Sequence, residues 1–413
     1  MDIETFDPEK FDPTSPDFNA DPYSYYAAFR SKAPVADIRK TYKGQWVFSR
    51  ELVEVVCAKE NATLFLKPGK NRSRDGTRPF SLAAEFGDGL FFMDPKRHGE
   101  VREIMEGVFH TAINGVAAKA GEVAQRLLNE AAKAGQLDLI TGYAGPLASE
   151  VFFDVMGIAI GSESFVVDHW IRDALRSHDK MLRDDLRAQG GTTTMALRTY
   201  LLALGREAAR AANPNKTSSG ARTMMAGIQD AVASDGLSQD EATNTAVNMA
   251  LGGYLSTEFL IGSGIYNLLR DPSQWQALRE GEVSIDQAIA EMLRFDAPFQ
   301  MADRYVEKDT DLGKHVLKGG QVFTVVYGSA NRDLPASEHP DRFDIRRDNS
   351  KRKNFGFGDG IHYCIGAPLA WTVTATAIQT LQKACPYARI GQVGHWGSDP
   401  YFRTLSKLQL LLR

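Results

Sequence analysis

The chain has 413 residues, 43% of them apolar and 24% charged, with a net charge of −4. This is ordinary globular composition, and the slightly acidic balance argues against nucleic acid or an anionic membrane as a partner. Three cysteines, Cys57, Cys364 and Cys385, with no CxxC pair, argue against a disulfide framework or a zinc site and fit a reducing cytoplasm.

The start, Met1-Asp-Ile-Glu-Thr-Phe-Asp-Pro, is acidic and broken by proline, unlike a signal peptide. No run of about 20 apolar residues occurs, so no membrane-spanning helix is expected. Residues 1–20 read as an extended arm. Pro22 to Arg30 reads as a short helix, Ala36–Lys40 and Trp46–Ser49 as a hairpin, and Glu51 to Lys59 as a helix. Residues 65–92 carry Gly, Pro, Arg and Asp with little periodicity and predict a long loop. Its apolar end is Leu90-Phe91-Phe92-Met93. Asp94-Pro95 then opens a helix carrying His98 and Arg102.

From Thr111 to about Glu280 the period is helical, with breaks expected near Ala134-Gly135, Gly190-Gly191 and Ser218–Gly220. Ser238-Gln239-Asp240-Glu241 is a capping box. The helix it opens runs unbroken to Arg270, roughly 50 Å at 1.5 Å per residue. Midway lie Gly252 and Gly253, each costing roughly 1 kcal/mol against alanine in a helix interior, which implies close approach of another surface.

Ile285 to Phe295 is a further helix, carrying Glu291 and Arg294 one turn apart. Val316-Leu317 and Val322–Tyr327, separated by Lys318-Gly319-Gly320, read as a hairpin. Arg346, Arg347, Lys351, Arg352 and Lys353 form a basic run. Next comes a Gly-punctuated loop, Phe357-Gly358-Asp359-Gly360-Ile361-His362-Tyr363-Cys364-Ile365-Gly366, running into a helix from Ala367. The glycines alone suit a phosphate loop, and the cysteine alone suits a buried structural thiol. Together they place a thiolate ligand before a helix whose N–H groups and positive end face the sulfur. His395 to Leu412 reads as a loop and a strand.

That loop resembles the haem-thiolate signature of the cytochrome P450 family, Phe-Gly-x-Gly-x-(Arg/His)-x-Cys-x-Gly, with every fixed position filled. The resemblance covers essentially residues 20–413. It implies one domain over 1–413, mainly α with small β-sheets, with haem b between the long central helix and the Cys loop. Cys364 is then the iron ligand, with Phe357, His362 and Gly366 around it. His98 and Arg102 match His-x-x-x-Arg, two donors on one helix face for the two haem propionates, and Arg304 matches a third propionate contact. Glu291 and Arg294 match Glu-x-x-Arg. His339-Pro340-Asp341-Arg342-Phe343 brings Arg342 as the second guanidinium, completing a triad that braces the Cys loop.

The segment Gly252-Gly253-Tyr254-Leu255-Ser256-Thr257 resembles the family's oxygen-activation motif, (Ala/Gly)-Gly-x-(Asp/Glu)-Thr, making Gly253, Ser256 and Thr257 the catalytic candidates. The chain departs from the pattern at Leu255, which holds the acid position and relays no protons; Glu258 is the nearest substitute. Asn354 stands where a propionate-binding His often sits, and Trp371 where an Arg is usual. The implied activity is a monooxygenase inserting one atom of O2 into a small hydrophobic or aromatic substrate, by hydroxylation or O-demethylation. Electrons would come from a ferredoxin-type donor, for which the basic run is a docking candidate or merely a solvated face. Leu255 also raises a peroxide-driven alternative; a non-catalytic haem sensor is the third reading. Leu90, Phe92, Tyr254, Phe299, Met301 and Phe402 are the substrate-pocket candidates.

Overall fold

The structure is a computed structural model describing residues 3–39, 44–68, 88–177, 184–210 and 216–412. Most of the long loop expected over 65–92, and the tip of the first hairpin, lie outside those residues. The chain falls into two compact units. One comprises Met1–Phe65, Ala124–Leu147 and Ser256–Arg413, and the other Leu66–Val123 and Ala148–Leu255. No helix among the described residues is long and apolar enough to cross a membrane.

The first unit holds the sheets. One has the order β1 (Val35–Ile38), β2 (Gly44–Val47), β8 (Val322–Val326), β5 (Met301–Val306), β3 (Phe65–Leu66). β4 (Gln136–Asp138), β10 (Leu408–Leu411) and β9 (Arg389–Val393) form a second, and β6 (Thr310–Leu312) pairs with β7 (His315–Leu317) in a third. The hairpin expected between 316–317 and 322–327 is therefore absent. β8 is buried at every position, runs antiparallel to β5 and parallel to β2, and a strand apolar on both faces is stable only in a sheet interior.

Residues 1–20 are less extended than expected. Ser15 caps a helix over Pro16–Ala20 by accepting from the Phe18 amide at 3.2 Å, and Phe6, Phe11 and Phe18 sink into an aromatic core with Phe29, Trp46 and Phe48. Phe11 meets Phe29 edge-on at 4.9 Å, and Phe29 stacks on Phe48 at 4.2 Å.

The second unit is helical. Its helices include Pro95–Ala112, Ser162–Arg176, Asp184–Arg210, Met224–Ala233 and Gln239–Gly252. No break falls at Gly190-Gly191, which lie inside the Asp184–Arg210 helix. The capping box at Ser238 forms: its hydroxyl accepts from the Glu241 amide at 3.2 Å, and Glu241 accepts from the Ser238 amide at 2.9 Å.

The long central helix is two helices, Gln239–Gly252 and Leu255–Arg270, interrupted at Gly253-Tyr254. Two successive glycines supply the weak point, since each forfeits helix propensity and removes the side chain that would screen the backbone.

Candidate active site

Cys364 sits at the end of a folded loop. Its amide donates to the Phe357 carbonyl at 3.0 Å, its own carbonyl accepts from Ala367 at 3.4 Å, and the helix Ala367–Ala384 starts at once. A methyl built on Gly366 would lie 3.6 Å from the Cys364 sulfur, which places the sulfur at the helix N-terminus. Gly360 has φ +75°, and a methyl there would lie 2.0 Å from the Cys57 carbonyl oxygen; one on Gly356 would lie 2.9 Å from Leu293 Cβ. The close approach demanded of those two glycines is to the chain itself. Phe357 is half-buried, its ring 6.3 Å from both Tyr363 and Trp371, and the Trp371 indole donates to Asp286 at 2.5 Å. His362 lies on the same loop, half-buried.

Arg304, on β5, is 3% exposed. Its guanidinium donates to the Tyr327 hydroxyl at 2.9 Å and the Asp303 carbonyl at 3.0 Å, and no carboxylate among the described residues pairs with it. Side chains alternate along a strand, so Asp303 points to the other face and accepts there from Thr324 and Tyr401, each at 2.7 Å. A buried guanidinium held only by neutral groups suits an incoming carboxylate.

Glu291 is fully buried beneath the loop. Arg294 grips it with two bonds of 2.7 and 2.8 Å, the Asp344 amide donates at 2.9 Å and Asn349 at 3.1 Å. The second guanidinium belongs to Arg347, at 3.3 Å, not to Arg342. Arg342 is exposed and contributes its carbonyl, which accepts from Arg294 and Arg347 at 3.2 Å each. Its side chain leaves the turn toward water, whereas Arg347 returns inward.

That arrangement also dismantles the basic run. Arg346 pairs with Glu282, Lys351 with Asp348, Arg352 with Glu338 and Lys353 with Asp359. Every cation of the run has an acidic partner, so it is no bare positive patch. Asn354 donates to the Ala290 carbonyl at 2.8 Å and accepts from the Gly356 amide at 2.9 Å, a structural role at the loop's start.

At the break between the central helices, a methyl on Gly253 would lie 2.2 Å from the Phe152 ring, so the surface that requires this glycine is a phenyl ring. Gly252 meets no heavy atom within 4 Å in that direction. Tyr254 is not offered to a pocket. It is 1% exposed, its hydroxyl donates to Asp168, and its ring packs on Phe152 and Phe153. Leu255 is buried, Ser256 half-buried and Thr257 buried in the first turn of the following helix. Glu258 is buried as well, with its carboxylate 3.2 Å from a methyl built on Gly145.

Met301 is likewise no pocket residue, being fully buried in the N-terminal aromatic core. Phe299 and Phe402 do come together, 4.7 Å apart, and Phe259 joins Phe402 at 6.3 Å. All three are half-buried. Phe259 escaped sequence reading; its position one helical turn after Ser256 was the available signal.

In the second unit, His98 is buried and Arg102 pairs with Glu106 at 2.6 Å. Leu90 is buried, its amide donating to Thr245 at 3.1 Å, and Phe92 is half-buried with its ring edge-on to Phe91. Burial, aided by the Arg102 and Lys67 cations, pushes the His98 pKa down from 6.5 to about 4. The folded state then binds fewer protons than the unfolded state between pH 6.5 and 4. Stability from this residue is present above pH 6.5 and is lost as pH falls toward 4, by up to ~3 kcal/mol. A His98→Gln variant should lose that part of the acid sensitivity; urea midpoints with identical pH slopes for both proteins between pH 7 and 4.5 would contradict it.

Comparison with known proteins agrees with this geometry. The cytochrome P450 family model matches residues 188–383. Cytochrome P450 monooxygenase PikC of Streptomyces venezuelae is 29% identical over 410 residues, covering 96% of this chain and 92% of that protein. Cyclomarin C epoxidase CymV of Salinispora arenicola is 30% identical over 283 residues, 68% of this chain and 69% of that protein. The crystal structure of CalO2 superposes with a TM-score of 0.85 at 26% identity, covering 98% of this chain and 99% of that one. With the same mainly α architecture and a cysteine at the head of the Ala367–Ala384 helix, the chain belongs to the cytochrome P450 family and is an oxidoreductase of its monooxygenase type.

Proposed function

We propose that the chain holds haem b through Cys364 and uses it to insert one atom of O2 into a compact hydrophobic or aromatic molecule, by hydroxylation or O-demethylation, in the cytoplasm. The observation carrying this reading is a thiol at the N-terminus of an 18-residue helix, in the unit that also buries the Arg304 guanidinium with no carboxylate hydrogen bond among the described residues. Those residues fit the group: a soft anionic sulfur for iron, and a buried cation for a propionate.

Bound through Cys364, a thiolate-ligated haem would supply oxygen activation. The chain's own residues do the rest. The helix dipole offsets the charge on the Cys364 sulfur. Arg304 would neutralise a carboxylate; by their spacing Arg102 would add a second cation and the neutral His98 imidazole a hydrogen-bond donor. Phe357, His362 and Gly366 line the loop beside the sulfur. Gly252 leaves space beside the backbone at the helix break, Gly253 packs on Phe152, and the Ser256 and Thr257 hydroxyls follow in the next turn. Leu255 carries no proton, so proton delivery at this turn would fall to those hydroxyls and water, with Glu258 as the nearest acid in sequence. Phe259, Phe299 and Phe402 present aromatic faces suited to a flat apolar substrate. Phe92 and Leu90 remain further substrate candidates. The epoxidase name of one relative supports oxygen transfer as the reaction class. Support for a ferredoxin-type donor is the family resemblance, since the basic run is internally paired.

Leu255 favours a second reading, in which peroxide replaces O2 and the electron donor. The test is twofold. Purified protein reduced under carbon monoxide should give the red-shifted absorption of thiolate-ligated ferrous haem. Turnover of a spin-shifting small aromatic should be faster with NADH, ferredoxin and reductase than with hydrogen peroxide. Faster peroxide turnover overturns the donor assignment; failure to take up hemin overturns the whole reading.

A further inference from the structure

We propose that Tyr327 is a positioning residue: its hydroxyl holds the Arg304 guanidinium in the orientation that meets a haem propionate, and so it acts on the cofactor through Arg304. The inference rests on the haem reading above.

Four contacts converge on this phenol. Tyr327 opens the short helix Tyr327–Arg332 and is 5% exposed. Its oxygen accepts from Arg304 Nη2 at 2.9 Å. It is also hydrogen-bonded to the side chain of Cys57. Whichever of the two donates in that contact, the phenol oxygen keeps a lone pair for the guanidinium. The ring lies parallel to Phe355, planes 4° apart and centroids 6.1 Å apart, just ahead of the Cys364 loop. On that loop, a methyl built on Gly358 would lie 4.0 Å from the Tyr327 oxygen. The hydroxyl is thus the hub between the buried cation, the Cys57 thiol and the loop that bears the ligand.

The reason to assign the hydroxyl more than packing is charge. Burial pushes the Tyr327 pKa well above its ordinary value, so the phenol stays neutral. A neutral acceptor orients the guanidinium without cancelling it. Asp303, the adjacent carboxylate, is held on the opposite strand face by Thr324 and Tyr401. Arg304 consequently makes no carboxylate hydrogen bond among the described residues, while the phenol and the Asp303 carbonyl limit its rotational freedom. Without the hydroxyl the side chain would have to be ordered by the ligand, and part of the binding free energy would go to that ordering.

Tyr327→Phe isolates the effect, because it keeps the ring stacked on Phe355 and removes one oxygen. The experiment follows haem release from the loaded full chain into excess apomyoglobin. Wild type, Tyr327→Phe, Arg304→Gln and the double variant are compared, each with haem and with haem dimethyl ester, which lacks both carboxylates. Tyr327→Phe should release haem about tenfold faster, the scale of one hydrogen bond to a charged group. The double variant should release it no faster than Arg304→Gln alone, and the ester should leave wild type and Tyr327→Phe at equal rates. A wild-type release rate in Tyr327→Phe, an equal acceleration with the ester, or additivity in the double variant would each overturn the proposal. A wild-type chain that binds no haem at all would instead overturn the functional reading beneath it.

Discussion

Glu291→Ala is expected to cost about 3–5 kcal/mol, the range seen when one partner of a buried ion pair is removed. The carboxylate is fully buried and receives two guanidinium bonds from Arg294, one from Arg347, one amide bond from Asp344 and one side-chain amide bond from Asn349. Its removal strands the buried Arg294 cation and leaves the largely buried Arg347 cation without its carboxylate. Against a total stability of about 5–15 kcal/mol, that loss is enough to prevent accumulation of folded protein at growth temperature. A paired comparison separates this geometry from the one expected from sequence. Arg347→Ala should lower the urea midpoint by the equivalent of about 2–4 kcal/mol, because it removes a guanidinium that touches Glu291 and bonds the Glu338 and His339 carbonyls. Arg342→Ala should stay within about 0.5 kcal/mol, since only its backbone carbonyl is used. Equal losses in the two variants would contradict the assignment of Arg347.

Cys364→Ser should abolish the red-shifted carbon monoxide absorption and lower monooxygenase turnover by at least ~10³-fold, the scale on which loss of an essential group is read. The fold should survive. The amide bond from Cys364 to Phe357 and the carbonyl bond from Ala367 are backbone contacts that Ser keeps. Cys385→Ser is the matched control, a buried thiol whose pKa is raised by burial alone, and should leave the spectrum unchanged. A Cys364→Ser protein with the wild-type carbon monoxide spectrum would remove the cysteine from the iron and the functional reading with it.

The parts legible in sequence share a short range. The Cys loop, the Glu-x-x-Arg turn, the Ser238 capping box and the helix start at Asp94-Pro95 are each written within about ten residues, where spacing alone sets which side chains meet. Misreadings and open points arose where the partner lies far along the chain. Gly253 was expected against another surface, and the structure shows that surface to be the distant Phe152 ring. Tyr254 and Met301 carry the right chemistry for an apolar pocket, but Asp168 and the N-terminal aromatic core claim them. In sequence the basic run is open between a docking surface and a solvated face, and its pairing with Glu282, Glu338 and Glu291 from distant segments is set only by the fold.

By itself, then, the order of residues determined the family, the helical character, the cysteine that serves as ligand candidate and the absence of an acid at Leu255. These are properties of side-chain type and local spacing, which survive any packing. Only the tertiary structure decided that Arg347 rather than Arg342 closes on Glu291, that the central helix is interrupted at Gly253-Tyr254, and that Arg304 is buried with a phenol and a carbonyl for company. Those outcomes turn on which of several chemically similar groups reaches a buried charge or cavity first. Burial makes the difference between such neighbours worth several kcal/mol, although nothing in their local sequence distinguishes them.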